Sequence, residues 1–223
     1  MTLKLHWSPR SPFVRKVMIV LHETGLTDRV TCVRSPVAVA AVPNPDVLVD
    51  NPLAKIPTLV LDDGRTLFDS AVICEYLDAI TPQTQLVPLG LDGRFECLRW
   101  QAFGDGLIDV LLFWRIEMAR GDKASQVISD GYDVKVRASL ACLEQEMPQL
   151  AARDFGLGHV AIACALGQLN FRFAGCGWEA KHPRLAAWYD ALQSRPSIAA
   201  TVVKDDNHLA MGDIVMPLRF EAA

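Results

Sequence analysis

The chain has 223 residues, 51% of them hydrophobic, with a formal net charge of -4. That length buries a sizeable core and suits two small domains better than one. An acidic balance with no basic stripe or aromatic-rich basic segment lacks the electrostatic footprint of a nucleic-acid binder, so no nucleic-acid partner is expected.

Met1 to Trp7 goes straight into alternation, without the charged and apolar regions of a signal peptide, so a cytoplasmic location is expected. Leu3, Leu5 and Trp7 alternate with Lys4 and His6 as in a half-buried strand, which Ser8-Pro9-Arg10-Ser11-Pro12 breaks. Ser11 is a favoured N-cap and Pro12 suits the first helical position. Val14, Val17, Met18 and Leu21 then form an apolar stripe that ends at Gly25. Residues 30–33 read as a second strand. From Ser35 to Pro52, proline and small residues predict an irregular segment with at most a short helix.

Ile56-Pro57 leads into the next strand. Taken alone, the proline reads as an ordinary trans residue opening a strand; a cis bond there needs tertiary context to hold it. Residues 58–61 and 65–68 flank Asp62-Asp63-Gly64, a hairpin signal. Asp69 or Ser70 caps a helix reaching about Asp78. Two prolines and two glycines between Thr81 and Gly93, with no periodicity, mark a linker over residues 81–92.

Beyond the linker every strong pattern is helical. Trp100, Phe103, Leu107, Leu111 and Trp114 recur at three- or four-residue steps, and further helices are predicted over 134–150, 157–173, 184–193 and 197–203. Lys16, Glu23, Glu75, Asp109 and Arg115 interrupt the longest apolar runs, so no membrane span is expected. The six cysteines show no C-x-x-C or C-x-x-H spacing, which argues against zinc and against a dithiol site. They read as small buried residues, with a reactive thiol at Cys74 or Cys176 as the alternative.

An α/β first part with a serine at the first strand-helix turn and a proline before its third strand looks thioredoxin-like, and an all-helical second part narrows that. Three runs carry the likeness: Ser11-Pro12-Phe13-Val14-Arg15-Lys16, Asn51 through Leu59, and Phe68-Asp69-Ser70 through Leu77. The whole resembles a glutathione transferase. The resemblance implies a thioredoxin-like glutathione-binding domain over residues 1–80, the linker, and an all-helical domain over 93–223 that supplies the second-substrate site. It also implies glutathione as cosubstrate, its stabilised thiolate attacking a small, apolar electrophile, with no metal, and a homodimer.

The resemblance assigns roles residue by residue. Ile56, before a cis Pro57, would offer its main chain to the cysteinyl unit. Asp69 would receive the γ-glutamyl amine, Ser70 its carboxylate and Lys55 the glycyl carboxylate, and Phe13 is counted among the glutathione-binding residues. Taken singly, Asp69 and Ser70 are a helix cap, and Lys55 is a solvated charge. Ser11 would donate to the glutathione thiolate, with Ser8 as competitor. Such a charge-assisted bond contributes about 1.5–3 kcal/mol and the helix start about 0.3–1, enough to ionise much of a thiol whose free pKa is about 8.5.

Serine rather than cysteine at this turn favours conjugation, substitution or isomerisation over mixed-disulfide chemistry. Phe103, Leu107, Leu111 and Trp114 are placed at the second-substrate site, with core packing as the other reading of the same stripe. Asp105, Asp109 and Arg115 are the polar residues of that helix expected to face the cleft or a partner subunit. The family commonly opens the central helix of its second domain with a capping box; here Gly156 and His159 stand at those positions, which leaves the start of that helix open. A noncatalytic relative binding proteins or apolar ligands, or a specialised lyase, dehalogenase or isomerase, are the alternatives.

Overall fold

The computed structural model describes residues 3–38, 41–205 and 214–220. Val39 and Ala40, within the predicted irregular segment, lie outside them. The first part runs β1 (Leu3–Trp7), α1 (Pro12–Thr24), β2 (Val30–Arg34), α2 (Pro45–Asp50), β3 (Thr58–Val60), β4 (Thr66–Leu67) and α3 (Ser70–Ala79). The sheet order is β2-β1-β3-β4. β1 pairs with β2 in parallel and with β3 antiparallel, setting Leu5 opposite both Cys32 and Leu59. Alternation in β1 sends Leu3 and Leu5 into a core shared with Val17, Val20, Ile73 and Leu77.

The predicted boundaries of α1 hold. Ser11 accepts a hydrogen bond from the Val14 amide as N-cap, and Gly25 closes the helix at a positive φ of 67°. The predicted irregular segment contains the short α2, capped by Asn44.

The second part is helical: α4 (Leu91–Met118), α5 (Gln126–Ala151), α6 (Leu157–Arg172), α7 (Trp178–Lys181), α8 (Pro183–Leu192) and α9 (Pro196–Ala199). The fold is therefore α/β plus all-α, a thioredoxin-like N-terminal part followed by a helical C-terminal one. Helix α4 starts at Leu91, inside the predicted linker, because Gly90 serves as its extended N-cap and Asp92 favours the positive amide end. The last predicted helix is the single turn α9.

Ion pairs join the halves. Lys16 of α1, fully buried, reaches both carboxylate oxygens of Asp105 on α4 at 2.8 and 2.6 Å. Glu23 of α1 accepts from Arg195 at 2.7 and 2.6 Å and from Ser197 of α9. Asp105 thus faces inward rather than into a cleft. Among the described residues, no helix is long and apolar enough to cross a membrane.

Candidate active site

A cavity of about 240 Å³ lies where the β1–α1 turn, the loop before β3, α4 and α6 converge. Ser8 and Ser11 both line it, as do Phe13, Lys55 and Ile56. The Ser11 cap uses only a lone pair, with Val14 N 3.2 Å from its oxygen. Its hydroxyl proton therefore stays available to donate. The α1 amide end beside it favours an anion.

The opposite wall depends on Asn51 and Thr58, whose role sequence reasoning missed. Both donate to the Lys55 carbonyl, at 3.2 and 2.8 Å, and Asn51 also donates to Thr58 Oγ1 at 2.9 Å. These bonds fix the loop just before Ile56-Pro57, whose peptide is cis. The run Asn51 to Thr58 was visible as a motif, but nothing in the spacing alone says that its two ends meet.

Asp69 is the exposed N-cap of α3, its Oδ1 2.9 Å from Ala71 N, and Ser70 behind it is buried. Neither lines the cavity. Asp69 lies within electrostatic reach of Asp105 and Asp109 on α4, and Asp109, which does line it, feels Lys55.

The stripe placed at the second-substrate site needs correction. Leu107, Leu111 and Trp114 are buried in the helical core, where Trp114 donates to Ser129 Oγ at 2.8 Å, and Phe103 packs against the same core. None of the four lines the cavity. The adjacent face of α4 does so, through Asp109, Leu112, Phe113 and Ile116 at i, i+3, i+4 and i+7, together with Arg115. The strongest apolar stripe of a helix in a packed layer is claimed by its neighbours, here α6, and a ligand meets the mixed face next to it. Gly104 shows how closely α6 approaches: a Cβ there would lie 2.5 Å from the Ala161 carbonyl carbon.

Four arginines line the cavity: Arg10, Arg34, Arg115 and Arg172. Of these only Arg115 was singled out in the sequence. Arg10 sits inside the strand-helix turn, between two prolines, and Arg172 falls four residues after Gln168 on α6, a helix otherwise mostly buried.

The thiols are elsewhere. Burial pushes Cys74 up to about 12 and Cys164 up to about 11, and raises Cys176 as well. Such groups stay protonated and inert at neutral pH. Among the described residues, no group of three or more His, Cys, Asp or Glu could hold a metal ion.

This geometry belongs to a thioredoxin-like domain carrying a helical partner that closes a cleft over its first helix. The chain matches "Glutathione S-transferase, N-terminal domain" over residues 10–80 and "Glutathione S-transferase, C-terminal domain" over residues 126–191. It is similar to the uncharacterized GST-like protein YibF of Escherichia coli K12, 34% identical over 207 residues, covering 89% of this chain and 98% of that one. It also resembles two structures of a glutathione transferase family member from Pseudomonas fluorescens Pf-5. One holds bound glutathione, with TM-score 0.87, and the other bound S-(propanoic acid)-glutathione, with TM-score 0.84. Both are 40% identical and cover 92% of this chain and 100% of theirs. The chain belongs to the glutathione S-transferase family.

Proposed function

We propose that this protein is a glutathione transferase of the serine type. It binds glutathione along the Ile56 main chain, takes the γ-glutamyl end at Asp69 and Ser70 and the glycyl carboxylate at Lys55, and ionises the thiol with Ser11. The observation that carries this reading is the Ser11 hydroxyl at the amide end of α1, lining the same cavity as Lys55 and Ile56. A similar protein with glutathione bound supports it.

The nucleophile belongs to the cosubstrate, and the protein holds and activates it. A hydrogen bond to the thiolate, at about 1.5–3 kcal/mol, raises the acid dissociation constant of the thiol about 10- to 100-fold. Phe13, Phe113 and Ile116 provide apolar walls beside the sulfur for a small electrophile. The same reading carries a homodimeric, cytoplasmic protein built as a glutathione-binding domain, a linker and a second-substrate domain.

Calorimetry with glutathione at millimolar concentration, paired with ultraviolet thiolate absorbance of the complex at neutral pH, tests the proposal. Binding with thiolate absorbance is the expected result. Binding without it would place the protein among noncatalytic relatives, and no binding would overturn the reading altogether.

A further inference from the structure

The loop that carries Lys55 and Ile56 into the cavity starts from a polar cluster rooted in β1. His6 stands on the face of β1 opposite Leu3 and Leu5, the face that alternation assigns to solvent, yet it is only 2% exposed. Its Nε2 lies 2.7 Å from Asp50 Oδ2, and since an ionised carboxylate only accepts, Nε2 carries the proton. Lys4, two residues earlier on the same face, donates to the same oxygen at 2.5 Å. The His6 bond, followed by that of Lys4, holds the Asp50 carboxyl below the usual carboxylate range. The other ring nitrogen, Nδ1, is 2.7 Å from Ser35 Oγ, which is itself 3.1 Å from the Val33 carbonyl. Ser35 serves the ring in either protonation state, because its hydroxyl can receive a proton from Nδ1 or turn its own toward it.

Asp50 is the last residue of α2, and the next residue is Asn51, whose amide holds both Thr58 Oγ1 and the Lys55 carbonyl. Thr58 is the register partner of His6 across the β1–β3 pair. Two consecutive residues at the end of α2 therefore bond to facing residues of neighbouring strands, and residues 52–57 leave from that double anchor. The Ser-His-Asp order is no hydrolytic site, because Ser35 is 1% exposed and out of reach of a substrate. Neither His6 nor Asp50 lines the cavity, whereas Lys55 and Ile56 do. A ligand meeting a loop already in its binding geometry avoids the cost of ordering it, and apparent affinity scales with the fraction of molecules so arranged.

We propose that His6 is a positioning residue for glutathione: by holding Asp50 it fixes the end of α2, so that Asn51 and Thr58 can set the Lys55 carbonyl and present Ile56 to the tripeptide. The inference rests on the transferase reading for the identity of the ligand. His6 touches neither glutathione nor the second substrate, and its effect runs through the loop. It governs how readily glutathione is captured. Ser11, on another element, governs what happens to the thiol afterwards.

The test titrates glutathione calorimetrically into the parent and into His6→Leu, His6→Gln and Asp50→Ala, with amide hydrogen exchange of the free proteins and thiolate absorbance of the saturated complexes measured alongside. His6→Leu and Asp50→Ala should each weaken glutathione binding about fivefold or more, and the double variant should be little weaker than either, because both remove the same contact. His6→Gln, whose side chain can still donate to Asp50, should recover part of the affinity. The Leu53 and Ala54 amides, which bond to the Asn51 side chain and carbonyl, should exchange faster in His6→Leu. At saturating glutathione, thiolate absorbance and kcat should match the parent, so that the loss appears in the glutathione KM. Val136→Ala, a core truncation in α5 away from the cavity, lowers stability without touching the cluster and should bind glutathione as the parent does. Parental affinity in His6→Leu, or a loss that Val136→Ala reproduces, overturns the proposal. If His6→Leu does not fold, Asp50→Ala decides by the same measurements. A parent that binds no glutathione overturns the transferase reading and this role with it, whereas a parent that binds and variants that bind equally well overturn the role of His6 alone.

Discussion

The two ends of the cavity are built differently. The end proposed for the thiol comes from short contiguous runs: a strand-helix turn carrying Ser11 and a loop in which Asn51 and Thr58 hold the carbonyl of Lys55. The end proposed for the second substrate comes from single residues on two long helices and a turn, brought together only by packing. Chemistry fixed by backbone geometry needs neighbours in sequence, whereas specificity can be assembled from any faces that happen to meet.

Both ends depend on α1 and α4 keeping their register, which the Lys16–Asp105 pair enforces. Lys16→Met leaves the partly buried Asp105 carboxylate without its cation. A loss of about 3 kcal/mol is expected, the low end for breaking a buried pair because Asp105 keeps some exposure. Adding Asp105→Leu should recover most of it, since replacing both charges with apolar groups is often neutral. Urea unfolding of the single and double variants measures this; a single variant as stable as the parent would show that the pair does not tie the two ends together.

Ser11→Ala tests the thiol end alone. It should lower the acid dissociation constant of the bound thiol about 10- to 100-fold, the value of one charge-assisted bond, and with it the thiolate absorbance and kcat/KM at neutral pH. Glutathione affinity should change little, because the tripeptide is held mainly elsewhere. Loss of the cap would cost about 1 kcal/mol of stability in addition. Ser8→Ala, in the same wall, should leave the thiolate signal in place; the opposite pattern would transfer the role to Ser8.

That asymmetry also governs what the sequence made legible. The β1–α1 turn, the hairpin about Gly64 and the cap at Asp69 could be read because each is specified by a few adjacent residues with special backbone or hydrogen-bonding chemistry. Trp114 and Leu111 were misplaced because a hydrophobic period says that a helix face is buried without saying whether protein or ligand covers it. Arg10 and Arg172 carry no local signal at all, since an arginine reads as surface until its neighbours are known.

Gly156 is a third kind of case, a residue explained only by what passes beside it. A Cβ there would lie 2.4 Å from the Leu86 carbonyl oxygen, to which the Leu157 amide donates at 3.0 Å. The segment before α4 occupies the space a capping side chain would need. Gly156→Ser would restore a favoured N-cap residue type, yet it should destabilise the protein by about 1–2 kcal/mol, as overpacking does. A gain in thermal stability would mean that the segment yields more easily than its backbone contact suggests.

His159 completes that helix start, and its effect should be the smallest and the most specific. Its Nδ1 accepts the Gly156 amide at 3.2 Å and its Nε2 faces the Leu150 carbonyl at 2.9 Å, so the neutral ring with its proton on Nε2 satisfies both. The imidazole thus does the work of the usual carboxylate in a capping box. Protonation would turn Nδ1 into a donor pointing at a donor, and burial already holds the pKa below the ordinary histidine value, with the Leu150 carbonyl opposing. With the folded pKa below the unfolded one, the unfolded chain binds the extra proton first. Stability is therefore complete above about pH 6.5 and falls as pH drops below it, by no more than about 1.4 kcal/mol per pH unit for one group. His182, lowered chiefly by burial, adds a slope of the same sign. His159→Gln can donate and accept without titrating, so between about pH 7 and pH 5.5 its unfolding free energy should decline less steeply than that of the parent. Parallel slopes would show that α6 starts equally well on a charged ring, and that the helix bearing Gln168 and Arg172 needs no neutral histidine at its base.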